Sequence, residues 1–212
     1  MTRVKICSIT TAADRDAAVA AGADALGFIV DVPVDTPREL DPETAADLID
    51  GVPPFVSSVL VTMPDDLATA HDLLVATGAD AIQLHNDHPP ADFAESEVPS
   101  VLKRIPPEVE AARTYAAVAD ALVVDSIDES GAGGTGHAVD RSAANAVREA
   151  VDVPVVLAGG LDPDTVADAI DAVKPFAVDV SSGVEAAEGR KDHQAVADFI
   201  AAAKQPSPRL SP

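Results

Sequence analysis

Short runs of apolar, β-favouring residues alternate along this chain with longer Ala-rich stretches in which polar positions recur at helical spacing. The strand-like runs cover residues 4–9, 25–30, 56–61, 81–84, 100–104, 121–124, 153–157 and 177–180. The helical stretches cover 12–21, 42–50, 64–77, 89–95, 107–118, 140–151, 163–172 and 192–203. Several begin with proline, whose missing N–H costs little in a first helical turn, and Asp41 and Asp162 precede such prolines as candidate caps. Strands apolar on both faces call for a parallel sheet covered by helices. Eight such units predict an α/β fold of the (β/α)8 TIM-barrel type, with a doubly wound open sheet as the competing arrangement. Gly-Ala-Asp recurs at 22–24 and 78–80, just before two strands, where each glycine reads as a helix C-cap and the pair hints at internal repetition.

At 212 residues the chain accommodates one such barrel over residues 1–204. Residues 205–212, with three prolines and two serines, read as a loose tail. Charge narrows the partners: 36 acidic against 14 basic residues give −22, which repels nucleic acid and anionic membranes. Asp outnumbers Glu 26 to 10 and only five residues are Lys, a surface suited to a salt-rich, halophilic cytoplasm. A single Cys excludes an internal disulfide and fits a reducing compartment. The first residues carry Arg3 and Lys5 and no long apolar run, so neither a signal peptide nor a membrane span is expected.

Candidate chemistry gathers where strands end. In the last third, VVDS is followed by GAGGTG, VPVVLAGG ends in a glycine pair, and FAVDVSSGVE ends in small residues. Loops without bulky side chains leave backbone N–H groups free to surround an anion, and phosphate pockets at the last strand ends are typical of barrels. The cradle candidates are Gly134, Gly159, Gly160, Ser181, Ser182 and Gly183. Cys7 ends the first strand, Arg38 follows the second, His85 ends the fourth, Asp125 ends the sixth and Asp179 lies in the eighth. Only a barrel would bring them together. Lys5, two residues before Cys7, shares its side of the strand and could favour a thiolate.

Taken with VKICSIT, TPREL, AIQLHND, GGTGHAVD, LAGGLDPDTV and GRKD in the same order, these segments resemble the phosphoribosylanthranilate isomerase family of tryptophan biosynthesis. The resemblance implies an Amadori rearrangement of N-(5-phosphoribosyl)anthranilate to 1-(2-carboxyphenylamino)-1-deoxyribulose 5-phosphate, with no cofactor and no metal. It implies Cys7 as general base and Asp125 as general acid. It further implies Arg38 as the grip on the anthranilate carboxylate, with His85 and Asp179 lining the cleft. The partner is then a small phosphosugar, the chain a monomer or homodimer, and the location cytoplasmic.

The chain departs from the family pattern at Ser8 and Asn86, where glycine is usual, and at Arg141, where an aromatic is usual. If the glycine before the second loop residue serves a positive φ, Ser8 carries a cost, whereas Asn tolerates that conformation better. Two other readings stand beside the isomerase. A barrel of the indole-glycerol-phosphate synthase type would share the phosphate loops but rely on Lys and Glu, and Lys is scarce at these strand ends. A catalytically silent phosphate-binding barrel would have lost the base and the acid.

Overall fold

The structure, a computed structural model, describes residues 1–95, 98–126 and 139–205. Gly134, the rest of its GGTG loop and the tail beyond Gln205 lie outside them. Eight parallel strands close into a barrel in chain order: β1 (Arg3–Ile6), β2 (Ala25–Ile29), β3 (Ser57–Thr62), β4 (Ala81–Leu84), β5 (Val101–Ile105), β6 (Ala121–Val124), β7 (Val155–Leu157) and β8 (Ala177–Val180). β8 returns to β1 with Lys5 opposite Asp179 and Ile6 opposite Val180. Eight helices follow the strands: α1 (Ala12–Ala21), α2 (Pro42–Asp50), α3 (Leu67–Thr77), α4 (Pro90–Glu95), α5 (Val109–Tyr115), α6 (Arg141–Ala150), α7 (Val166–Val173) and α8 (His193–Lys204). The open-sheet alternative is excluded by the closure.

Helix starts are set by side-chain caps. Asp41, Asp66, Asp140 and Asp192 each accept backbone N–H bonds from the first turn of the helix they precede. The cap at Asp66 is why α3 begins three residues after Pro64. Gly22 and Gly78 end α1 and α3 with φ of 97° and 69°, as their placement before strands predicts. The acid following each has a definite duty. Asp24 accepts from Val4 N–H at 2.8 Å, and Asp80 from Ser58 N–H at 2.8 Å. Asp120 repeats the bond with Val101 N–H at 2.7 Å, so the acids before β2, β4 and β6 each cap the start of the preceding strand.

The core is layered. Val4, Ile6, Leu26, Phe28, Leu122, Val124, Leu157 and Val178 face outward and pack under the helices. Val123, Val156, Ala158 and Ala177, with Leu102, fill part of the barrel interior. Strand alternation therefore leaves the inward positions nearer the C-terminal ends for polar groups. β1 stops at Ile6, short of residue 9, because Ser8 takes φ of 62° and turns the chain over the barrel mouth. A short 3-10 turn (Ser182–Val184) and a hairpin of β9 (Glu185–Ala187) and β10 (Arg190–Lys191) follow β8. The hairpin was not expected, since strands of two and three charged or small residues carry no alternation. Its turn at Gly189 has φ of 73° and lies so close to the Pro37 carbonyl that a Cβ would stand 2.7 Å from it.

Candidate active site

The C-terminal mouth holds a cavity of about 110 Å³ lined by residues from β1, β2, β3, β4, β6, β7 and β8 and the loops that follow them. Cys7, Arg38, His85, Asp125, Gly159, Gly160, Asp179, Ser181, Ser182 and Gly183 all line it, together with Ser8 and Gln83. Every described site residue expected from the sequence is therefore at one place.

Cys7 sits immediately beyond β1, buried, with its N–H bonded to Val180 O at 2.8 Å. Two residues earlier on the same face, Lys5 is fully enclosed and its Nζ donates to Asp179 Oδ2 at 2.8 Å. The pairing follows from the β1–β8 register, which sets the two residues opposite each other. Burial works to lower the Lys5 pKa, but Asp179 and Cys7 together outweigh it and leave the ammonium held above its ordinary value. Gly27 of β2 is the gap into which both groups fit. A Cβ there would lie 2.7 Å from Cys7 Sγ and 3.1 Å from Lys5 Nζ. Sequence reasoning missed Gly27, because a glycine inside a strand is informative only once its neighbours are known.

Asp125 lies across the cavity at the end of β6, and burial raises its pKa to about 6, with Arg104 opposing and Asp179 adding to the rise. Its Oδ1 has no hydrogen-bond partner among the described residues. Gly159, at φ of 85°, gives the carboxyl room, since a Cβ there would stand 2.7 Å from Oδ1. The Gln83 side-chain amide N–H donates to His85 Nε2 at 2.7 Å. Burial, with Arg104, Lys5 and Lys103 nearby, pushes its pKa down to about 3, so the ring is neutral near pH 7.

Arg38 reaches the cavity from the loop after β2, but its guanidinium is already engaged. Nε and Nη2 fork onto Glu185 at 3.0 and 2.7 Å, and Nη1 meets Glu188 at 2.9 Å. Glu185, in β9, also accepts from Lys191 at 3.1 Å, while Lys191 donates to Ser181 O at 3.0 Å. Arg38 thus does not wait as a free cation. It is one member of a chain of ion pairs that ties the hairpin to the mouth. The pairing raises the Arg38 pKa, chiefly through the hydrogen bonds to Glu185.

At the other end the lining is backbone and hydroxyl. Gly159 and Gly160 both have positive φ, and Gly183 packs directly on the Leu161 carbonyl, where no side chain fits. Ser182–Val184 is one 3-10 turn. Its first N–H groups have no earlier carbonyl to meet, so it offers local donors and no sizeable macrodipole. Asn86 departs from expectation: it is outside the positive-φ set, and its side-chain amide donates to Pro64 O. Arg141 follows the Asp140 cap and reaches Thr165 O at 3.4 Å.

The distribution of charge was not legible beforehand. Lys5, Lys103, Arg104 and Lys191 are buried, as against Asp14, Asp125 and Asp179 among the far more numerous acids. Lys is scarce in the chain, yet Lys5 and Lys191 both stand beside the mouth. Lys103 points outward, onto the Tyr115 ring and Asp87.

A (β/α)8 barrel that gathers a thiol, a carboxyl and small-residue strand ends into one pocket at its C-terminal face is built as a barrel enzyme for a small anionic substrate. The family model described as N-(5'-phosphoribosyl)anthranilate (PRA) isomerase matches residues 4–202. The chain belongs to that family. It is 54% identical over 218 residues to the isomerase of Halobacterium salinarum, a halophilic archaeon, covering 100% of both chains. Among solved structures, a phosphoribosyl anthranilate isomerase in complex with reduced 1-(o-carboxyphenylamino)-1-deoxyribulose 5-phosphate is similar, with a TM-score of 0.81 and 34% identity. The match covers 96% of this chain and 99% of that one. A structure of monomers generated from the dimeric Thermotoga maritima enzyme matches with a TM-score of 0.82 and 32% identity over 96% and 99% of the chains.

Proposed function

We propose that Cys7 and Asp125 are the base and acid with which this isomerase converts N-(5'-phosphoribosyl)anthranilate to 1-(2-carboxyphenylamino)-1-deoxyribulose 5-phosphate. The observation carrying the assignment is that these two residues, from β1 and β6, face one cavity that also holds the Gly159–Gly160 and Ser181–Gly183 loops. An acid must first give a proton to the furanose ring oxygen, so that the C1–O bond breaks and a Schiff base forms between C1 and nitrogen. Asp125 suits this step, because a carboxyl with pKa near 6 retains a useful protonated fraction close to neutrality. A base then takes the C2 proton, and the resulting enolamine becomes the ketone as C1 gains a proton and the C2 hydroxyl loses one.

Cys7 supports the second step because Lys5, fixed by Asp179, lays a cation against its sulfur. Gly159, Gly160, Ser181, Ser182 and Gly183 hold the phosphate through backbone donors. Arg38 meets the anthranilate carboxylate with the guanidinium hydrogens that Glu185 and Glu188 leave free. His85, neutral and braced by Gln83, and Asp179 shape the cleft between them. The enzyme works in the cytoplasm as a monomer or homodimer, which sedimentation at several concentrations distinguishes. Among the described residues no helix is long and apolar enough to cross a membrane.

The test is turnover of freshly generated phosphoribosylanthranilate by wild type, Cys7→Ala and Asp125→Asn. Each variant is expected to lose about 10²-fold or more in kcat with folding intact. Activity within a few-fold of wild type removes the role from that residue.

A further inference from the structure

Ser8 is the residue at which the chain turns over the barrel mouth in a conformation that is costly without glycine. It is 1% exposed, stands at φ of 62°, and follows Cys7 directly. A non-glycine residue in the left-handed region is uncommon; such positions persist where the surrounding structure over-determines them, and they cluster at active sites and ligand clamps. Among the described residues its side chain bonds to another hydroxyl. Ser8 Oγ and Ser181 Oγ are 2.7 Å apart, linking the loop after β1 to the loop after β8. Both residues line the same cavity, beside Gly159–Gly160 and Ser182–Gly183.

Two hydroxyls carry two protons, and the bond between them uses one. The remaining proton belongs to an O–H in a cavity wall whose neighbouring donors are backbone amides. We propose that Ser8 is a substrate-binding residue: the Ser8–Ser181 hydroxyl pair donates this second proton to an oxygen of the substrate's phosphate. The backbone cost at Ser8 is retained because the hydroxyl closes the cradle on the side nearest the base. This rests on the assignment of the small-residue loops to phosphate, and it adds a side chain to a site otherwise made of backbone. The electrostatic setting agrees with an anion there, since Lys191 donates to the carbonyl of Ser181 itself.

Two substitutions separate the hydroxyl from the backbone. Ser8→Gly removes both the hydroxyl and the conformational strain, and Ser8→Ala removes the hydroxyl while keeping the strain. Competitive inhibition by inorganic phosphate is the readout, measured with KM and kcat on folded protein. Both variants are expected to raise the phosphate inhibition constant and KM by about 10- to 100-fold, the scale of one hydrogen bond to an anion, with a smaller change in kcat. An unchanged inhibition constant in both variants overturns the proposal, whatever happens to melting temperature. A fall in kcat with phosphate affinity intact also overturns it, by showing that the hydroxyl acts on Cys7. Should phosphate fail to compete even in wild type, the cradle assignment itself falls, which is a separate result from a wild type that binds phosphate and variants that bind it equally well.

Discussion

Inside the barrel mouth and outside on the helices, this protein treats charge by opposite rules. In the mouth, ions are few, buried and matched: Lys5 with Asp179, Arg38 with Glu185, Lys191 with Glu185. The outer surface carries most of the net −22 with few cations to answer it. The interior balances charge by contact, the exterior by counter-ions. Basic side chains are concentrated inward, where the acids of the mouth answer them, so the pocket does not share the uncompensated negative charge of the outer surface. The difference also separates what salt can reach from what it cannot, since enclosed pairs are screened far less than surface charges.

The sharpest break of this comparison uses the same substitution at two buried acids. Asp179→Asn removes the partner of an enclosed lysine and leaves an uncompensated charge, for which a loss of about 3–5 kcal/mol is expected. Asp125→Asn goes the other way. Its folded pKa, about 6, lies above the ordinary carboxylate value of 3.8, so the native state binds the proton more tightly than the unfolded chain. Ionised Asp125 therefore costs stability above pH 6, and that cost fades as pH falls towards 4. At 1.36 kcal/mol per unit, Asp125→Asn should gain about 3 kcal/mol at pH 7 and almost nothing at pH 4, while losing catalysis. Denaturant titrations of both variants across pH 4–7 check this. Equal destabilisation of the two would erase the distinction between a paired and an unpaired acid.

Arg38 comes next, because it joins the two regimes. Its Nε and Nη2 are on buried Glu185 and its Nη1 on exposed Glu188. Arg38→Ala should weaken binding of the substrate and of a product analogue by roughly 1.5–3 kcal/mol, more in KM than in kcat. An unchanged product-analogue affinity would assign the anthranilate carboxylate to another group and leave Arg38 as a strut for the hairpin.

What could be read from sequence follows the same divide. Most of the eight strands were legible because burial on both faces makes them continuous apolar runs, and the catalytic candidates were legible because strand ends converge in a barrel. Boundaries slipped where a cap or a positive φ intervened, as at Asp66 and Ser8. The ion pairs were not legible. Lys5 and Asp179 are brought together by β8 closing on β1, and Arg38 and Glu185 by a hairpin too short to carry a periodic signal. The condition under which Ser8 carries a cost, a positive φ, is met at 62°; that it would bond to Ser181 depends on a contact between the first and last strand ends.

The smallest effect per residue, though spread over the whole surface, is expected from salt. At about 0.01 M the Debye length is about 30 Å, so carboxylates on neighbouring helices repel one another across the domain. In molar KCl that length falls to about 3 Å and the repulsion is confined to adjacent side chains. The barrel-mouth pairs change little over this range, because they exclude solvent. Melting temperature should therefore rise steadily from low salt to molar KCl, and activity should rise with it as the folded fraction grows. The rise should survive in Arg38→Ala, whose lesion lies inside, and should shrink when surface Asp residues are replaced by Asn. A melting temperature that stays flat or falls with KCl would show that the exterior is not limited by its own charge, and the contrast between the two regions would then rest on the mouth alone.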